Sequence, residues 1–246
     1  MKNLKMTKMP ELPFDVQEAV NQLRVNIGFT GDSIKTIMVT STIPNEGKSF
    51  VAMSLWRNIA NVGNKALLID ADIRNSEMRD RYGFASEDGL VGIEHFLSGK
   101  LGLHEVIYTT NVQNGFVLPV STNVIDPTIL LESDRFKKMM EVVKENFDYI
   151  VVDTPPLNSV ADAMNISKYC DGSILVVGSN NASRKIINET INSLKRTETP
   201  LLGIVLNRVD TSRRGSAYGY YYRYGGYGHY GRYGQYGRYG EEQKKK

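Results

Sequence analysis

The stretch Thr42-Ile43-Pro44-Asn45-Glu46-Gly47-Lys48-Ser49-Phe50 decides the reading of this chain. It follows a run of β-branched and apolar residues over 36–40 and opens a stretch with helical character. A turn of this kind between a buried strand and a helix is the setting that a phosphate-binding loop requires. Backbone N–H groups along the loop converge on phosphate oxygens, and the helix that follows adds its positive N-terminal end. Pro44, Asn45, Glu46, Gly47, Lys48, Ser49 and Phe50 are therefore the candidate nucleotide cradle. Lys48 reaches β- and γ-phosphates in such a loop, and the Ser49 hydroxyl suits Mg²⁺. Thr42 replaces the first glycine of the strict pattern, so context carries the assignment.

Two acidic strand ends extend it. In Leu67-Leu68-Ile69-Asp70-Ala71-Asp72-Ile73-Arg74, an apolar strand ends in two carboxylates at i and i+2, pointing to the same side. The carboxyl edge of an open α/β sheet is where ligands bind. Carboxylates placed there suit Mg²⁺ and activation of a nucleophile. In Tyr149-Ile150-Val151-Val152-Asp153-Thr154-Pro155-Pro156, a second apolar strand ends in a carboxylate that suits Mg²⁺ held through water. Asn207 and Arg208 close the last predicted strand, where a side-chain amide can donate to and accept from a nucleotide base.

Buried strands are expected at 36–40, 66–69, 116–120, 149–152, 173–177 and 202–206, with amphipathic stretches between most of them. Residues 134–147 are the clearest helix, with Ser133 as N-cap and Phe136, Met140, Val143 and Phe147 on one face. Residues 11–29 also look helical. Alternating strands and helices predict an α/β fold: a doubly wound, mostly parallel sheet with helices on both faces. The expected division is a helical segment over 1–30, a P-loop domain over 31–210 and a flexible tail over 211–246.

The tail has its own composition. Ten of the 14 tyrosines lie there: Tyr218, Tyr220, Tyr221, Tyr222, Tyr224, Tyr227, Tyr230, Tyr233, Tyr236 and Tyr239. Gly, Tyr and Arg dominate it, and such a segment lacks the apolar face that would offset its ordering entropy. Five Arg, three Lys and two Glu give residues 211–246 a charge of +6. The whole chain is +3, so the body carries −3. The single cysteine, Cys170, excludes an internal disulfide. Cys170 and Trp56 read as packing residues, and His95, His104 and His229 form no ligand set. Gly226-Tyr-Gly-His-Tyr-Gly231 matches a dinucleotide pattern without the strand and helix that give it meaning. No apolar run approaches the roughly 20 residues that span a bilayer.

Taken in order, the loop at 41–49, Asp70-Ala-Asp72-Ile-Arg74, Asp153-Thr-Pro-Pro156, the stretch 126–133 and the tyrosine cluster resemble the bacterial tyrosine kinases of capsule and exopolysaccharide systems. The resemblance runs from about residue 15 to 210 and resumes in the tail. It implies that Lys48 binds the phosphates of ATP and that Ser49, Asp72 and Asp153 serve Mg²⁺. Asp70 would be the base toward an acceptor tyrosine, and the tail tyrosines the phosphoacceptors. It implies a P-loop fold and a cytoplasmic kinase recruited to the membrane by a separate adaptor. It also implies a cognate tyrosine phosphatase, a homo-oligomer, no nucleic-acid partner, and a role in polysaccharide synthesis and export. The family's oligomerisation pattern E-x-x-R-x-x-R falls on Glu18, Asn21 and Arg24, with Asn at the middle position. Two rivals share the motifs. One is a partition or septum-placement ATPase, whose loop carries a Lys where this chain has Ile43. The other is a P-loop ATPase with a nucleic-acid-binding Gly/Arg/Tyr tail.

Overall fold

The computed structural model describes residues 1–179 and 181–209. Met1–Asn207 forms one compact unit. All ten tail tyrosines, and so all the expected phosphoacceptors, lie outside the described residues.

Four strands form the centre of the sheet: β2 (Thr36–Ser41), β3 (Ala66–Asp70), β7 (Tyr149–Asp153) and β8 (Gly172–Gly178). All pair in parallel, in the order β3-β7-β2-β8, and none of their residues is exposed. Burial on both faces explains their continuous apolar runs. Side chains alternate between two cores. Met38, Leu67, Ile69, Ile150, Val152, Leu175 and Val177 enter one. Ile37, Val39, Leu68, Val151, Ile174 and Val176 enter the other. The first is covered by α7 (Asp134–Asn146), α8 (Asp162–Ser167) and their neighbours. The second is covered by α2 (Lys48–Asn61), which inserts the fully buried Trp56, and by α1 (Phe14–Gly28). Each fully buried large apolar side chain contributes about 1.5–3 kcal/mol.

The six expected strands all form, the others being β6 (Gly115–Leu118) and β9 (Leu201–Asn207). Ser133 caps α7 as expected, accepting from the Phe136 N–H at 3.3 Å, and Phe136, Met140, Val143 and Phe147 are buried. Cys170 and Trp56 are buried in the cores.

The N-terminal segment differs from its reading. Only Phe14–Gly28 is helical. Lys2–Met6 is a strand, β1, paired in parallel with β5 (Tyr108–Thr110) and antiparallel with β4 (Phe84–Ala85). Leu4 and Met6 point into the core, while Asn3 and Lys5 face outward. Two buried side chains among charged residues gave too short an alternation to read as a strand. No boundary at residue 30 is seen, because this strand and α1 pack into the same unit as the P-loop. Among the described residues the sheet has nine strands, in the order β4-β1-β5-β6-β3-β7-β2-β8-β9.

Parallel strands bring the turns after β2, β3 and β7 to one edge. The chain passes from β2 through α2 to β3 and skips over the site of β7. Such a crossing leaves a crevice above the strand ends.

Candidate active site

The loop after β2 is built around a buried carboxylate. Glu46 is 0% exposed. Its Oε2 accepts from Thr42 N at 2.7 Å, Thr42 Oγ1 at 2.5 Å and Ile43 N at 3.0 Å. Its Oε1 accepts from Gly178 N at 3.0 Å, which ties the loop to the end of β8. The Glu46 side chain is thus a strut inside the loop, and only its backbone is left to face a phosphate. Asn45 and Gly47 adopt positive φ, 65° and 91°. Gly47 is required on a second count: a Cβ there would lie 2.1 Å from Asn207 Nδ2. Asn207 does not present that nitrogen for reading a base. It donates to Glu46 O at 2.9 Å and so clamps the loop from β9. Phe50 turns its ring into the core behind the loop. Arg208, just past the end of β9, has φ 58°.

Lys48 stands at the start of α2 among carboxylates. Its Nζ lies 2.8 Å from Asp72 Oδ2, 3.7 Å from Asp153 Oδ2 and 3.3 Å from Ser49 Oγ. Asp70 and Asp153 are register partners on adjacent strands. Burial pushes Lys48 down, but Asp153, Asp72 and Asp70 together outweigh it and its pKa is raised. Burial and the neighbouring Asp153 push Asp70 up to about 8, against its hydrogen bond with Ser76. Burial pushes Asp153 up to about 6, opposed chiefly by Lys48 and Ser49. Three carboxylates around one ammonium leave an excess of negative charge at low dielectric.

Asp70 Oδ1 and Asp153 Oδ1 are buried with no hydrogen-bond partner among the described residues. Orphaned carboxylate oxygens are costly, and a divalent cation is one partner that satisfies them. Among the described residues no three His, Cys, Asp or Glu side chains are grouped to hold a metal unaided. Mg²⁺ does not need such a group, since it takes one or two carboxylates together with substrate phosphates and water. The donor set therefore fits Mg²⁺ bound with a nucleotide.

Lys48, Ser49, Asp72 and Asp153 line a cavity of about 210 Å³ that also touches Asn45, Gly47, Arg74, Ser76, Arg81, Pro155 and Pro156, with Asp70 buried behind it. Cavities of about 250 and 260 Å³ flank α1, but no comparable set of convergent charges faces them.

Two contacts lie beyond the motif reading. Arg74 Nε binds the buried Asp162 at 2.5 Å, and its other nitrogens donate to Ile125 O and Thr128 Oγ1 at 2.8 Å and to Asp126 Oδ1 at 3.2 Å. The turn after β3 is thereby pinned to the start of α8 and to the stretch before α7. Ser76 donates to Asp70 Oδ2. Nothing in the local sequence marks Asp162 or Ser76. At the oligomerisation pattern, Arg24 turns inward, donating to Asn21 Oδ1 at 2.9 Å and Asn58 Oδ1 at 2.8 Å.

The AAA domain family matches residues 34–202. The chain is 39% identical to the tyrosine-protein kinase CpsD of Streptococcus pneumoniae over 85% of its own length and 92% of the relative's. The chain belongs to the bacterial tyrosine kinase family. It is a protein-tyrosine kinase, as these relatives are named. Solved structures agree. The kinase domain of the Escherichia coli tyrosine kinase ETK is 27% identical with a TM-score of 0.72, over 81% of this chain and 80% of that one. The chimerical protein CapA2B2 is 27% identical with a TM-score of 0.75, over 85% and 93%. The P-loop of this kinase belongs to a fold that binds nucleotides with Mg²⁺. Among its described residues no helix is long and apolar enough to cross a membrane.

Proposed function

We propose that this kinase transfers the γ-phosphoryl group of ATP to tyrosines of its own C-terminal cluster, in trans within a homo-oligomer. The observation that carries this reading is the meeting of Lys48, Asp72 and Asp153 beside the loop at one strand edge, with Asp70 paired in register with Asp153 behind them. Phosphoryl transfer asks a protein mainly for positioning and for charge to oppose developing negative charge. Loop N–H groups from Asn45 to Phe50 hold phosphate oxygens, and Lys48 leaves its carboxylates to meet the β- and γ-phosphates. Ser49, Asp72 and Asp153 would hold Mg²⁺, which supplies electrostatic neutralisation of the phosphates. Asp70 receives the proton of the acceptor hydroxyl, a role worth roughly 10²–10⁴-fold. Tethering puts the tail tyrosines at an effective concentration of about mM. By likeness to its family, the kinase works at the inner face of the membrane with an adaptor that activates it and a phosphatase that reverses its products. Its pathway is then polysaccharide synthesis and export.

The test is intact mass after incubation with Mg-ATP. The chain gains phosphates one at a time, and a tyrosine phosphatase removes them. Lys48→Met abolishes the additions while the thermal transition remains cooperative. Phosphotyrosine retained in purified Lys48→Met protein contradicts the assignment.

A further inference from the structure

Asp70 does not reach the cavity it is read to serve. It is 1% exposed, and Lys48, Asp72, Ser76 and Asp153 line the nucleotide cavity while Asp70 does not. Ser76 stands between. Its hydroxyl donates to Asp70 Oδ2, and the Met78 N–H donates to the same hydroxyl oxygen at 3.3 Å. A serine hydroxyl has one proton to give and two lone pairs to offer. The proton goes to Asp70 and one lone pair to Met78, so one acceptor position remains. Ser76 also borders a second cavity, of about 170 Å³, formed with Arg79, Ser121, Thr122 and Asn123 beyond the end of β6. Ser76 is therefore the shared wall between the phosphate site and a separate recess.

Resting on the kinase reading of this site, we propose that the acceptor tyrosine enters from that recess and that Ser76 relays its proton to Asp70. The tyrosine O–H donates to the free lone pair of Ser76 Oγ. The phenolic oxygen bonds to the γ-phosphorus as the bond from that phosphorus to the bridging oxygen breaks, and ADP leaves with the electron pair. The phenolic proton passes to Ser76 Oγ while the proton already on Ser76 passes to Asp70 Oδ2. The hydroxyl is regenerated, and the carboxyl group holds the proton that the tyrosine lost. A direct transfer to Asp70 would need the acceptor to displace Ser76.

The experiment compares Ser76→Ala, Ser76→Thr and Asp70→Asn in the full chain at saturating Mg-ATP. The acceptors are a peptide copying residues 216–228 and the same peptide with fluorotyrosine, whose phenol is more acidic. Ser76→Ala lowers kcat on the tyrosine peptide at least about tenfold. Its affinity for Mg-ADP stays within about twofold of the parent's. The deficit shrinks on the fluorotyrosine peptide, because a more acidic phenol depends less on help in losing its proton. Ser76→Thr, which keeps the hydroxyl, recovers most of the rate. The relay is overturned if Ser76→Ala turns over like the parent, if its deficit is equal on both peptides, or if Mg-ADP binding falls with the rate. The last two outcomes make Ser76 a prop for the turn. If Asp70→Asn keeps the parent rate, Asp70 is not the base and the underlying reading of the site falls, whatever Ser76 does.

Discussion

Replacing Glu46 with glutamine keeps shape and volume and removes one property, the ability of both side-chain oxygens to accept. Glu46 takes three hydrogens on Oε2 and one on Oε1, from Thr42 N, Thr42 Oγ1, Ile43 N and Gly178 N. A glutamine has one oxygen and one NH₂ group. Turned the better way, its oxygen serves Thr42 and Ile43, and its NH₂ then faces the buried N–H of Gly178 at about the 3.0 Å that Oε1 occupies. That N–H is left unsatisfied, at about 1–3 kcal/mol, and the remaining bonds fall from the charge-assisted to the neutral range. Relief from burying a carboxylate offsets part of this loss. The expected net cost is about 2 kcal/mol, roughly a thirtyfold shift in the unfolding equilibrium. Urea unfolding reads it directly through the single tryptophan, Trp56, which is fully buried against α2's own core. Because the lost contacts shape the loop itself, Glu46→Gln also weakens Mg-ADP binding, although its side chain does not face the cavity. A stability change below about 0.5 kcal/mol, together with parent-like ADP affinity, would falsify the strut.

Gly47→Ala combines a left-handed φ of 91° with a Cβ 2.1 Å from Asn207 Nδ2. It costs about 1–2 kcal/mol from strain alone, and its penalty is smaller in an Asn207→Ala background, where the steric part is gone; an equal penalty in both backgrounds argues against the clamp. Asp70, raised to about 8 from an unfolded value near 3.9, makes the folded protein hold a proton that the unfolded chain releases. The folded pKa of this acid is raised, so its stabilisation is complete below about pH 4 and is lost as pH climbs to about 8, at up to about 1.4 kcal/mol per pH unit. Asp70→Asn removes that slope, so in metal- and nucleotide-free protein its urea midpoint exceeds the parent's by a margin that widens from pH 5 to pH 8; a constant margin refutes the burial argument. Asp162→Ala frees Arg74 from a carboxylate that is 1% exposed and loosens the turn after β3. It costs about 1–3 kcal/mol, and faster hydrogen exchange over residues 71–76 and 125–128 locates the effect there.

Much of this kinase is legible without coordinates, because local signals carry it. Short continuous apolar runs rich in β-branched residues, the loop between a strand and a helix, and carboxylates at apolar strand ends are all properties of neighbours in the chain. They placed the six inner and flanking strands, the capped helix at Ser133 and the four charged residues Lys48, Asp70, Asp72 and Asp153. The tertiary structure decided who meets whom across long separations. Lys2–Met6 became a strand only because β5 offers it an edge about a hundred residues away. Glu46 turned from a loop residue into a strut because Gly178 supplies an N–H from β8, and Asn207 became a clamp because β9 ends beside the loop. Arg74 finds Asp162 over a separation of 88 residues, and Ser76 covers Asp70 because the turn after β3 folds back on its own strand end. Periodicity encodes which side of an element is buried; the partner of a buried polar group is set by packing, and packing is a property of the whole fold.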